Sequence, residues 1–171
     1  PIDNLMIFGS YAYINAEVTN GCCFVDVNDL TASKPGANPV GGVPTARTQN
    51  LEGNRLPMTP ENKFTFGANY TFDFDLGSLT LGGAYTFTDD MQTTIFAQSN
   101  YTAPSNEIVD FRALWKDSQD RFTIIGYVKN AFDEVAYQSS SSTGLTASGD
   151  YRRTVKLNFP RTYGVEFQYR F

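Results

Sequence analysis

Histidine is absent from the 171 residues of this chain. That removes histidine-dependent nucleophile triads, Ser-His lipases and histidine zinc sites from what the chain can host alone. Cysteine is nearly absent, and the two that occur, Cys22 and Cys23, are adjacent. Bridging sequence neighbours needs a strained ring, and two thiols at this spacing do not supply four metal ligands. They read as loop thiols or as a disulfide to or within the same loop, and no metal or cofactor is expected. Long apolar runs are missing too: the longest, such as 122–128, fall far short of the roughly 20 residues a membrane-crossing helix needs. A helical membrane protein is therefore excluded. Charged residues make up 18% of the chain, its net charge is -5, and its 13 Lys and Arg are dispersed. Without a basic patch, no nucleic-acid partner is expected. The chain opens Pro1-Ile2-Asp3-Asn4, with no initiating Met, basic region or apolar core. The expectation is a mature chain, or a piece of a longer one, without a signal peptide.

Aromatic residues are plentiful, at 15% of the chain, with 14 Phe, 10 Tyr and a single Trp. Their spacing is the informative signal. Over 63–74, Phe64, Phe66, Ala68, Tyr70, Phe72 and Phe74 alternate with Lys63, Thr65, Gly67, Asn69, Thr71 and Asp73. A strict period of two predicts a strand with one apolar face. Beyond the short link 75–77 the pattern returns, with Leu79, Leu81, Gly83, Tyr85 and Phe87 against Ser78, Thr80, Gly82, Ala84 and Thr86, so the two runs form a hairpin. A third run sets Val109, Phe111, Ala113 and Trp115 against Asp110, Arg112 and Leu114, and turns through 116–120. The fourth sets Phe122, Ile124, Gly126 and Val128 against a polar face interrupted by Ile125. The last places Arg161, Tyr163, Val165, Phe167, Tyr169 and Phe171 on one side, with Thr162, Gly164, Glu166, Gln168 and Arg170 on the other. An earlier strand is expected over about 5–18. There Met6, Phe8, Ala12 and Ile14 compete with Leu5, Ile7, Tyr11 and Tyr13, and the facing stays open.

About six strands result, each near the length that crosses a membrane at a tilt. Short links alternate with long ones at 19–62, 89–106 and 130–160, which hold turn formers such as Pro35-Gly36, Asn38-Pro39 and the run Ser139 to Ser142. All the short turns fall on the side of the C-terminus, as in outer-membrane barrels, whose periplasmic turns are short and outer loops long. A soluble β-sandwich would show the same alternation toward an internal core. Against it, aromatics hold both ends of the apolar face while small residues hold the middle, as two interfacial girdles require. The mean hydropathy of -0.32 agrees with a barrel, whose strands show lipid only at every second residue. The fold class expected is all-β, with antiparallel transmembrane barrel strands.

Three segments carry a resemblance. The closing stretch Pro160-Arg161-Thr162-Tyr163-Gly164-Val165-Glu166-Phe167-Gln168-Tyr169-Arg170-Phe171 resembles the last strand of TonB-dependent receptors. Val128-Lys129-Asn130-Ala131-Phe132-Asp133-Glu134 with Tyr137 is similar to that family's N-L-F-D-x-x-Y motif, with Ala131 in place of Leu. Asn54-Arg55-Leu56-Pro57-Met58-Thr59-Pro60-Glu61-Asn62-Lys63 resembles its approach to a downward strand. The resemblance covers essentially the whole chain. It implies that residues 1–171 are the C-terminal part of a barrel of roughly 22 strands, about the last six, with the plug domain absent from this chain.

From that resemblance follow the remaining expectations. The function implied is active import of a scarce nutrient (a siderophore, cobalamin, an oligosaccharide or similar) across the bacterial outer membrane. A passive porin or structural barrel is the alternative, and a soluble binding sandwich the third reading; catalysis is not expected. The implied partners are the rest of the barrel and its plug, TonB acting through a missing N-terminal region, outer-membrane lipid, the outer-membrane assembly machinery and the small or oligomeric substrate. The loops would be extracellular and the C-terminus periplasmic. Tyr101, Tyr137, Tyr151, Arg152 and Arg153 are the candidate loop residues for substrate contact, with the plainer reading of a solvated loop residue favoured for each one taken singly. Tyr163, Val165, Phe167, Tyr169 and Phe171 match the pattern the assembly machinery reads, and also suit a lipid-facing edge.

Overall fold

In a computed structural model, which describes residues 2–21, 24, 26, 39–40, 43–44, 50–97, 101–143 and 152–171, the alternating segments become the strands of one sheet. Its order is β1 (Leu5–Tyr13), β4 (Asn62–Phe74), β5 (Gly77–Thr88), β8 (Asn106–Asp117), β9 (Phe122–Lys129) and β12 (Thr162–Tyr169). Every neighbouring pair is antiparallel, so each strand lies beside the next long strand in the chain. Pairs of short strands lie in the long links: β2 (Pro39–Val40) with β3 (Val43–Pro44), β6 (Met91–Gln92) with β7 (Thr102–Ala103), and β10 (Tyr137–Thr143) with β11 (Arg152–Leu157).

The short turns share one end of the sheet. Residues 75 and 76 alone separate β4 from β5. Gly77 is required there: its φ is +146°, and an added Cβ would run into the Lys116 carbonyl of β8. The β8–β9 turn is held by Asp117, whose carboxylate accepts the Phe122 N–H at 2.7 Å and lies 3.8 Å from Arg121. Tyr169 pairs with Phe122 and Leu5 with Tyr70, so both ends of the sheet's path reach this rim.

Register sorts the side chains into rows that cross all the strands. Ile7, Ala68, Gly83, Phe111, Val128 and Tyr163 form one outer row, and Leu5, Tyr70, Leu81, Ala113, Gly126 and Val165 the next. Away from these middle rows the face turns aromatic. Phe64 stacks on Phe87 with centroids 5.2 Å apart at the long-link end, while Phe72 and Phe74 at the other end are 6.5 Å apart and Phe122 and Tyr169 are 4.9 Å apart. Phe64 and Phe72 are eight residues apart on β4, about 27 Å along the strand. A barrel tilt reduces that to roughly 20 Å across the membrane, close to the apolar band of an outer-membrane barrel. The outer face is open: Tyr163 is 79% exposed, Val165 77% and Phe167 62%. An apolar surface of this extent needs lipid or another chain against it.

The structure settles the facing of β1, which periodicity left open. Leu5, Ile7, Gly9 and Tyr11 pair with Tyr70, Ala68, Phe66 and Phe64 and so join the outer rows, while Met6, Phe8, Ser10 and Ala12 turn inward. Phe8 has a specific seat there, its ring lying over Gly67 where a Cβ would stand. The expected strand over 5–18 is also shortened. It ends at Tyr13, and beyond it the contact with the approach to β4 continues through the Ile14 N–H to the Glu61 carbonyl and an isolated bridge, Glu17 to Arg55.

Candidate functional site

The long links gather at the opposite end, and the first two form one packed body. Arg55 joins them, its guanidinium 3.3 Å from the Asp90 carboxylate and donating to the Asp90 carbonyl at 3.1 Å. The Asn54 amide donates to the Ile95 carbonyl, and the Met58 N–H to the Gln92 carbonyl. The Asn62 amide donates to Asp89 at 2.9 Å and holds that carboxyl below the usual carboxylate range, with burial opposing. Beneath these contacts lies a small core. Leu51, Tyr101 and Asp26 are the largest fully buried side chains among the described residues, and the Tyr101 hydroxyl donates to Asp26 at 2.9 Å.

The third link is organised around Asn130, which is buried and takes a positive φ of 50°. Its backbone N–H donates to Asp110 on β8 at 2.8 Å. Its side-chain amide donates to the carbonyls of Glu134 and Phe159 and accepts the Glu134 N–H. Asp133, also at positive φ, accepts the Arg161 N–H at 2.7 Å, immediately before β12. Asn158 completes the arrangement by accepting from Ala136 and donating to Glu134. The Asn-Ala-Phe-Asp-Glu stretch thus ties β8, the third link and β12 into one unit. Asn and Asp suit it because they tolerate left-handed backbone and offer short polar arms.

The residues expected at the substrate end are dispersed. Tyr101 is inside the first loop body with its hydroxyl engaged. Tyr137 is half-buried at the start of β10, and Arg152 and Arg153 open β11 on the paired strand. Tyr151, Cys22 and Cys23 lie outside the described residues. The Arg55–Asp90 and Asn62–Asp89 contacts were not anticipated, although the paired acids directly after a strand were a visible cue. Among the described residues, no group of three or more His, Cys, Asp or Glu is placed to hold a metal. Hydrogen-bonding and aromatic groups at one rim of a sheet can recognise and hold a solute.

A search of the curated proteins finds no match. Among solved structures, the chain is similar to BauA, the ferric preacinetobactin receptor of Acinetobacter baumannii, at 18% identity and a TM-score of 0.64, covering 99% of this chain and 20% of that one. It is also similar to FyuA, the ferric yersiniabactin uptake receptor of Yersinia pestis, at 20% identity and a TM-score of 0.61, covering 71% of this chain and 18% of that one. The chain therefore spans about a fifth of the length of these receptors, and likenesses at such identity speak for the fold. The sequence itself matches the family described as TonB dependent receptor-like, beta-barrel over residues 3–131. This chain belongs to the TonB-dependent receptor β-barrel family.

Proposed function

We propose that residues 1–171 form the C-terminal part of the barrel, about the last six strands of roughly 22, in an outer-membrane receptor that imports a scarce nutrient. The observation that carries this reading is the continuous outer face, with aromatic bands at both ends of a lipid-width belt, in a chain of the receptor family. A plug supplied by another part of the polypeptide fills the lumen, and TonB supplies the energy. The long-link end is extracellular, where Tyr137, Tyr151, Arg152 and Arg153 belong to the region that meets substrate and Tyr101 supports it from the loop core. The Phe171 end is periplasmic, and the alternating residues Tyr163 to Phe171 serve the assembly machinery. The two receptors described above are named for ferric chelates, so a ferric siderophore is the first cargo to test.

The test is uptake by the complete receptor in its host, offering ferric siderophores, cobalamin and oligosaccharides in turn as the limiting nutrient. The expected result is uptake of one class, lost on deleting either the receptor or TonB. Uptake that survives loss of TonB and extends to unrelated small solutes would replace this reading with a passive pore. Chemical change of the solute by purified receptor would show an enzymatic role.

A further inference from the structure

The outer face of the sheet is not level. Between β5 and β12 its middle rows dip into a hollow of about 530 Å3, floored by Ala113 and Gly126 and walled by Leu81, Phe111, Val128 and Val165. Tyr163, two residues nearer the long-link end than Val165, borders it there. Gly126 gives the hollow its depth, since a Cβ added to it would meet nothing within 4 Å. No side chain that the register turns to this face of the hollow is charged. Arg112 and Tyr127 also border it, but their place in the alternation assigns their side chains to the inner face. A plug in the lumen cannot reach the outer face. The floor is on β8 and β9, each flanked on both sides by strands of this chain, so a further strand paired to β12 would extend a wall beside Tyr163 and leave the floor open.

Past Tyr163 the same alternation continues to Arg161, immediately before β12. Arg161 is exposed, its guanidinium donates to the Ala131 carbonyl at the long distance of 3.5 Å, and it has no ion pair among the described residues. Beside it the polar tie built on Asn130 leaves two rings in the open, Phe132 at 73% exposed and Phe159 at 82%. Open rings next to a cation, at the edge of an apolar belt, are the makeup of a membrane interface. Arg161 is four residues from Val165, roughly 13 Å along the strand. An acyl chain that runs from the interface to the bilayer middle covers about 15 Å, so one chain can lie in the hollow while its headgroup stays level with Arg161. A guanidinium in that position presents a planar fork matched to a phosphate.

We propose that this hollow seats one acyl chain of a phosphorylated lipid of the outer leaflet, with the lipid phosphate on Arg161. The proposal rests on the reading of this face as lipid-facing and of the long-link end as extracellular. Elsewhere on the belt a lipid meets a row of side chains that any chain can slide across. Here the bare floor at Gly126 fixes where the chain lies, and Arg161 fixes the headgroup.

The test uses the full-length receptor that contains this segment, purified in detergent, stripped of lipid and titrated with diphosphoryl lipid A under native mass spectrometry. The expected result is one lipid A bound at least about tenfold tighter than any further copy. Gly126→Leu, which fills the hollow without a backbone clash, should weaken that first copy about tenfold, and Arg161→Gln several-fold. Val165→Trp fills the hollow from β12 and serves if the glycine variant does not fold. Ile7→Trp, on the same face at the far edge of the sheet, should leave the first copy unchanged. Several results would each overturn the proposal: no lipid A on the wild-type receptor, equal affinity for first and later copies, or unchanged binding in a folded hollow-filling variant or in Arg161→Gln. So would equal weakening by Ile7→Trp, or a wild-type dimer that Gly126→Leu dissociates and lipid A does not. The readings fail separately. TonB-independent uptake would sink active transport and leave these ratios intact, whereas equal ratios would sink the lipid seat and leave TonB-dependent uptake intact. A receptor that stayed monodisperse without detergent would sink the membrane reading itself.

Discussion

The sheet and the loop body hold together on opposite principles. In the sheet the large apolar side chains are exposed or half-buried, and among its strands Ile125 is the apolar side chain that falls in the buried class. In the loop body the reverse holds: Leu51, Tyr101, Met91 and Ala103 are buried around a small core of their own. The sheet is secured by backbone ladders and, on the proposed reading, by lipid against one face, so its side chains answer to which face they occupy. The loops are secured by local packing and polar contacts, as a small soluble domain is. A substitution should therefore be costly for different reasons in the two regions.

The sharpest way to break that contrast is to move one charge across the sheet. Ala113 and Leu114 are neighbours on β8 that face opposite sides. Ala113→Arg should destabilise the barrel by about 2–4 kcal/mol, and Leu114→Arg by under about 1 kcal/mol, since only the first puts a cation into the lipid belt. Heat-modifiability of the complete receptor on gels after urea titration checks this, and equal costs would dissolve the distinction between faces.

Deleting Phe171 tests the assembly role without touching the loops. The outer-membrane level of folded receptor should fall several-fold, while the stability of the fraction that does fold stays near wild type. In the loops, Asn130→Ala removes both amide donations and the acceptance from Glu134, and should cost about 2 kcal/mol. Hydrogen exchange should show the loss confined to 131–161, with β4 and β5 unchanged. Tyr101→Phe takes one donor from buried Asp26 and should cost about 1–2 kcal/mol, read in the same experiment as faster exchange around 91–103.

The smallest expected effect is acid loosening of the first loop body. The Asp89 carboxyl is held low by Asn62, so it stabilises the fold above the ordinary carboxylate value of 3.8, and that contribution is lost as pH falls through its lowered folded value. Exchange in 54–62 should rise in that acid range, and Asp89→Asn should abolish the dependence.

These two regions were also unequally legible. Strict alternation exposed β4, β5, β8, β9 and β12, because a period of two is local and survives in sequence. β1 resisted because both of its faces are apolar, and what decides it is the seat that Gly67 offers Phe8, a contact 59 residues away in the chain. Strand ends shifted for a similar reason. β8 begins at Asn106 because β5 pairs with it that far, which no residue of 106–108 announces. In the loops there is no period to read. The Asn-Ala-Phe-Asp-Glu stretch stood out as a motif, but its role as a tie needed its bonds to Asp110 and Phe159, 20 and 29 residues away. Tyr101 showed the same gap, an aromatic in a polar link that packs inward on Asp26.

The unbroken register of the six strands has a consequence for how the chain can change in length. Within a strand, length counts by parity. One inserted residue would exchange lumen for lipid along everything between it and the next turn, and a compensating deletion must fall in the same strand. The links have no parity to keep and can grow or shrink a residue at a time. Divergence among chains built on this sheet should therefore accumulate as insertions at one rim, with strand lengths moving in steps of two.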